Sequence, residues 1–280
     1  MKKIVLMASL LFAGYSANAQ GFYAELNFGY GFGNPSGNLG TEKYVDLAGD
    51  GSYDKPIYGT MGSGLNLTLT PGYMITKHLG VELGINYFLG AKTVVSNTTT
   101  SMDNIYDKTT ANSNQLRIIP SLVVSTGGDK LFAYAKGGLI LPVIGSTTGV
   151  REASTIAGTT VVATDVTTTT KGAVSLGFRG SVGIGYNITE LIGLNLEVFH
   201  SSLTIKSKSR TIDTYTVAGQ DQLVNAPAYA TEVNYVDELN SSSNNADYNA
   251  NFSTTSAKDE LAPKTNFNQF GVALGIRFSF

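Results

Sequence analysis

Gly271-Val272-Ala273-Leu274-Gly275-Ile276-Arg277-Phe278-Ser279-Phe280 decides the fold. Apolar residues occupy every second position: Val272, Leu274, Ile276, Phe278 and Phe280. Between them stand Gly271, Ala273, Gly275, Arg277 and Ser279. A period of two means a β-strand with two unlike faces. One face is wholly apolar and ends in two aromatics; the other carries small residues around a single arginine. In a soluble sandwich the apolar face would be the core. In a membrane barrel it would face lipid, and the small, charged face would line a narrow lumen.

Seven more stretches show the same alternation. They begin near residues 22, 62, 79, 114, 131, 172 and 191. In the first, Phe22, Ala24, Leu26, Phe28, Tyr30 and Phe32 oppose Tyr23, Glu25, Asn27, Gly29 and Gly31. The connections alternate in length. Residues 76–78, 126–130 and 188–190 are tight turns, while long loops lie near 34–59, 96–113, 149–171 and 207–265. An even strand count with short turns on one rim and long loops on the other is the outer-membrane pattern. The eight apolar faces carry no charge along their length. Aromatics gather near the strand ends: Phe22, Tyr73, Tyr186, Phe278 and Phe280 toward one rim, Tyr30, Phe32 and Tyr87 toward the other. Such girdles mark the two interfaces of a bilayer. The expected fold is therefore an all-β, antiparallel transmembrane barrel of about eight strands. A ten-strand alternative would recruit residues 211–217 and 229–236 from the last loop; with eight strands, those two segments form a hairpin above the membrane. The loop at 96–113 and the threonine run at 167–170 look mobile and polar.

Composition narrows the function. The 280 residues carry a formal charge of -2, 32 glycines and no cysteine. The mild acidity argues against a nucleic-acid partner. The absence of cysteine rules out disulfides and lipid attachment at a cleavage-site thiol. Lys2 and Lys3, an apolar run of about ten residues and Ala17-Asn18-Ala19 form the pattern of a secretory signal peptide over 1–19, leaving 20–280 as the barrel domain. No apolar run reaches the roughly 20 residues a membrane helix needs.

Alternating faces, sorted loops and a final aromatic together resemble the small OmpA/OmpX-type outer-membrane β-barrels, a porin-like family of the Gram-negative cell envelope. That resemblance implies a location in the cell outer membrane, and partners among its lipid and lipopolysaccharide. It also implies that Phe278 and Phe280 serve as the C-terminal signal read by the barrel assembly machinery. A monomer is expected, with an extracellular partner for the loops that the sequence leaves unknown.

The inward faces hold Glu25, Glu82, Arg117, Lys136, Arg179, Glu197 and Arg277. A barrel of about eight strands is just wide enough for its side chains to fill, so these charges must pair. Glu25 and Arg277 lie on the two strands that meet at closure and are expected to be neighbours. Glu197 with Arg179, and Glu82 with Arg117 or Lys136, come next. The functional alternative is a charged conduction path.

Catalytic constellations are thin. His200 and Ser202 share an outward face and resemble the His-x-Ser pair of outer-membrane lipid A deacylases. Leu203 stands where those enzymes carry asparagine, and no carboxylate is due beside the pair. Gly29-x-Gly31-x-Gly33 lies inside a strand with no following helix, the wrong context for a nucleotide loop. No cofactor or metal is expected, and no enzyme. The leading expectation is a non-enzymatic surface scaffold acting through its extracellular loops. The alternatives are a small passive pore and, last, a membrane-surface acyl hydrolase built on His200 and Ser202.

Overall fold

Eight antiparallel strands close on themselves. The computed structural model describes residues 21–34, 37–49, 51–102 and 104–280. The expected signal peptide lies outside the described residues. The wall strands are β1 (Phe22–Gly33), β2 (Gly64–Met74), β3 (Leu79–Gly90), β4 (Tyr106–Ser125), β5 (Leu131–Ala157), β6 (Gly177–Asn187), β7 (Ile192–Ser202) and β8 (Gln269–Ser279). Each pairs with the next, and β1 pairs with β8 over its whole length, from Tyr23 opposite Ser279 to Gly33 opposite Gln269. Closure leaves no strand of the ring as a free edge, so along the paired registers the backbone groups find partners inside the ring. The ring has eight strands, not ten.

The register fixes the barrel's width. Following cross-strand partners from Tyr23 gives Gly72, Glu82, Ser121, Gly138, Arg179, Ser201 and Gln269, and the path returns to β1 at Gly33. The row has climbed from residue 23 to residue 33, a shear of ten. With ordinary strand spacing, eight strands at this shear tilt by about 40° and enclose a backbone radius of roughly 8 Å. Each step to the next strand along a row climbs about 3 Å. Residues on distant strands therefore meet at one height inside the lumen.

The faces follow the sequence alternation. In β1, Glu25, Asn27, Gly29 and Gly31 are buried, while Phe22, Leu26, Phe28, Tyr30 and Phe32 are exposed. Phe22 packs on Tyr73 at one rim (ring centroids 4.6 Å apart), and Tyr30 on Phe32 at the other (5.1 Å). Outward apolar side chains in such numbers would be an aggregation hazard in water, and they suit a hydrocarbon surround.

Above the long-loop rim, much of what the sequence presents as loop is sheet. Thr93–Thr100 pairs with β4 from Tyr106 to Ala111, and runs parallel to Asn38–Val45, which itself pairs with Tyr53–Tyr58. β5 runs on as a hairpin with Thr160–Gly172, turning at Gly158, whose φ of 66° glycine adopts without strain. Thr204–Val217 lies against Thr160–Gly172 and, at Ser209–Thr211, against Glu232–Asn234. The expectation of irregular loops at 96–113 and 167–170 is thus corrected: residues 96–100 and 106–113 lie in paired strands, and 167–170 are paired on both sides. The expected hairpin of 211–217 with 229–236 is met only at Thr211, opposite Glu232; residues beyond it pair with Thr164–Thr168.

Candidate functional site

The lower lumen, toward the short turns, is a compact ion cell. Lys136 Nζ stands 2.7 Å from Glu25 Oε2, 2.9 Å from Glu82 Oε1 and 3.7 Å from Glu197 Oε2. Arg179 Nη2 approaches Glu197 Oε1 at 3.2 Å, and Arg277 Nη1 approaches Glu25 Oε1 at 3.6 Å. Glu25 and Arg277 are direct cross-strand partners. Three carboxylates meet three cations, and the Tyr23 hydroxyl donates to Glu82 Oε1 at 2.6 Å. Taking these groups out of water is costly, and mutual pairing offsets it.

A layer of aromatic rings supports the cell, and sequence reasoning gave it no role. The Arg277 guanidinium lies 3.6 Å from the Tyr23 ring centre, Arg179 lies 3.8 Å from Phe199, and Lys136 Nζ lies 4.8 Å from Tyr134. Desolvated cation–ring contacts of this kind strengthen with burial. The rings lie flat because their cross-strand partners are glycines: Gly72 opposite Tyr23, Gly183 opposite Tyr134, Gly271 opposite Phe199. A Cβ on any of the three would run into the ring it faces. Inward aromatic opposite inward glycine was the signal available in the sequence.

Of the two partners expected for Glu82, Lys136 takes the place and Arg117 does not. Arg117 sits higher, 1% exposed, with its guanidinium 4.1 Å from the Phe88 ring. Its Nε donates to Gln115 Oε1 at 2.9 Å, and its Nη1 donates at 3.1 Å to the Gln269 amide oxygen in the orientation that also lets Gln269 bond the Gly62 carbonyl. Nη2 has no hydrogen-bond partner among the described residues. Four lumen cations against three carboxylates leave Arg117 held by amides and a ring alone.

Around Arg117 and above it the lumen turns apolar. Met61, Phe88, Ile119, Ile140, Leu203, Ile205 and Phe267 form one buried cluster, with Leu39 and Val95 packed on it. At mid-height a cavity of about 40 Å³ remains between Asn27, Glu82, Lys136 and Glu197. A vestibule of about 600 Å³ opens at the short-turn end, with Arg277 and Lys136 in its lining.

His200 and Ser202 are exposed on the outer face of β7, as their spacing indicated. Their cross-strand neighbours are Gly180 and Phe270 for His200, and Phe178 for Ser202. None is a carboxylate. Two acids of the last connection are engaged elsewhere: Asp259 accepts from Asn244 and Asn234, and Glu260 faces Arg210 and Lys258. Among the described residues no cluster of His, Asp and Glu has metal-binding geometry. Phe278 is outward on β8, and the Phe280 amide donates to the Phe22 carbonyl at 3.0 Å, beside barrel closure.

Residues 4–235 match the family described as the outer membrane protein beta-barrel domain. The chain belongs to that family. Its place is accordingly the cell outer membrane, with the short turns periplasmic and the long connections extracellular. Solved structures with a similar course include the outer membrane protein OprG from Pseudomonas aeruginosa, 14% identical over 93% of this chain and 96% of that one, with a TM-score of 0.45. Neisserial surface protein A (NspA) is 10% identical over 94% of this chain and 100% of that one, TM-score 0.41. CarO of Acinetobacter baumannii is 12% identical over 93% and 97%, TM-score 0.32. Likenesses this distant carry no argument about activity. No curated protein matches the chain.

Proposed function

We propose that this outer-membrane barrel is a non-enzymatic surface scaffold, whose extracellular sheet meets an external partner while the barrel holds it in place. The observation that carries the reading is the filling of the lumen: the ion cell below and the Met61–Phe88–Phe267 cluster above occupy successive levels. Continuous packing of this kind supports an anchor over a conduit. The extracellular part is built as sheet on long extensions of β4 and β5, which supports a role in presenting a defined surface. That the cross-strand neighbours of His200 and Ser202 are Gly180, Phe270 and Phe178, none an acid, supports a non-enzymatic reading, since a nucleophile–base pair needs an orienting group. Single-channel recording in a planar bilayer tests the proposal. Silence is the expected result; steady openings at the full-length barrel would replace the scaffold by a passive pore.

A further inference from the structure

The wall has a seam. The ladder between β5 and β6 stops at Ile140 opposite Gly177, and it resumes at Ser146 opposite Lys171 in the extracellular hairpin. Over the interval, residues 141–145 and 173–176 share no backbone hydrogen bond, and the Ala173 amide donates instead to the Lys206 carbonyl at 2.7 Å. Two local features open it. Pro142 has no N–H to give. Val143 is an extra residue in β5, which pairs with β4 through Ile144 opposite Leu116 and Pro142 opposite Arg117. From Ile140 to Ser146 the unpaired stretch covers roughly 20 Å of strand.

Behind the seam lies a cavity of about 310 Å³. Both edges line it, Pro142–Gly145 on one side and Gly172–Val174 on the other; Ala111, Ile205 and Phe267 line its apolar part, and Gln115, Thr168, Thr170, Ser207 and Arg210 its polar part. The three apolar residues belong to the cluster that fills the lumen, so the cavity ends there. Outside, Ile144 is 69% and Val174 90% exposed, at the top of the apolar band. Just above, Lys171, Lys206 and Lys264 alternate along their strands with cavity-lining Gly172, Ile205 and Thr265, which puts them on the outer wall; Lys208 is exposed in the adjoining bulge. Lys206 pairs with Asp237, while Lys171, Lys208 and Lys264 have no carboxylate partner among the described residues.

We propose that the seam is a lipid-binding site: it admits one acyl chain of an anionic, phosphate-bearing lipid of the surrounding leaflet. The chain enters sideways between Val143 and Val174, and the phosphate rests on Lys171, Lys208 and Lys264. The apolar rim and the Ala111–Ile205–Phe267 side of the cavity account for the chain, the unpaired lysines for an anionic head, and the volume, near the lower end for ligand pockets, for one chain rather than two. The inference is independent of any partner of the extracellular sheet.

The test uses the full barrel extracted from vesicles of phosphatidic acid or of phosphatidylcholine with matched chains, and native mass spectrometry to count retained lipid. One phosphatidic acid per barrel is expected, retained at least tenfold over phosphatidylcholine. Replacing Lys171, Lys208 and Lys264 together by Gln is expected to remove that preference. Ala173→Cys creates a lone thiol on the cavity wall. A membrane-partitioning maleimide should label it in the folded protein, and labelling should cut retention tenfold relative to the same unlabelled variant. Heat-dependent gel mobility checks that each variant remains a barrel. Equal retention of the two lipids, retention untouched by the label, or an introduced thiol that reacts only after unfolding would each overturn the proposal.

Discussion

The two halves of the lumen solve one packing problem with opposite chemistry. The periplasmic half is filled by Lys136 among three carboxylates, with rings and glycines arranged to hold the cations. The extracellular half is filled by Phe88, Ile119, Ile140, Phe267 and their neighbours. Both leave little space, because eight strands at this shear offer little. The difference lies in what a defect costs. A hydrocarbon cluster loses contacts when one member is removed, whereas an ion cell left with an unmatched charge must bury it alone.

Breaking the ion cell at its centre should therefore have the largest effect. Lys136→Met strips Glu25 and Glu82 of their nearest cation, and the barrel should lose about 3–5 kcal/mol, the usual result of orphaning a buried charge. Adding Glu25→Gln and Glu82→Gln to that variant should restore much of the loss. Urea titration of the folded barrel in lipid, followed by heat-dependent gel mobility, reads both. If Lys136→Met alone is silent, the cell is hydrated and its salt bridges contribute nothing.

The apolar half should yield slightly less. Phe267→Ala removes a ring from the centre of the cluster, and about 3–4 kcal/mol is expected from lost transfer energy and the cavity left behind. The same variant bears on the scaffold reading. Conductance should stay absent, since the ion cell still fills the lumen below; steady openings in Phe267→Ala would show that the apolar cluster alone holds the barrel shut.

A third contrast lies at closure, between Glu25 and Arg277. Arg277 is nearer the periplasmic vestibule than Lys136, and its contact with Glu25 is longer at 3.6 Å. A double-mutant cycle of Glu25→Ala and Arg277→Ala should give a coupling of about 1 kcal/mol. Strict additivity would show that Lys136 satisfies Glu25 without help.

How much of this was legible follows from the same division. The wall was legible nearly throughout, because alternation in β1, β2, β7 and β8 is strict and each face has one chemistry. Glu25 beside Arg277 was legible because closure forces the first and last strands together. The apolar cluster was not. Ile119 and Ile140 are inward, but they stand in the runs Ile118-Ile119-Pro120 and Leu139-Ile140-Leu141, where every neighbour is apolar and no period shows. Arg117 was placed on the correct face, but whether it or Lys136 would reach Glu82 was left open, since the row climbs around the barrel and a composition of faces carries no heights. Above the membrane both strand faces meet water, so Thr93–Thr100 and Thr160–Gly172 lack any hydropathic alternation. Their threonines and valines favour strands, and that propensity was outweighed by their polarity.

That extracellular sheet supplies the smallest and most discriminating effect. Asp107 and Arg151 face each other across β4 and β5 in a bidentate pair, Nη2 to Oδ2 at 2.7 Å and Nε to Oδ1 at 3.0 Å. The geometry matches or betters any ion pair in the ion cell. Yet the Arg151 and Asp107 side chains are 50% and 37% exposed, against 10% and 1% for Lys136 and Glu25. Water already serves both charges when the pair is broken, salt screens them, and holding two long side chains together costs entropy. Arg151→Ala should therefore cost under about 1 kcal/mol, and less still at high salt. Lys136→Met should respond to salt far less, since buried pairs are poorly screened. Urea titrations of both variants at low and high ionic strength decide the matter. An Arg151→Ala loss as large as that of Lys136→Met would mean that distance, and not burial, sets what an ion pair contributes in this protein.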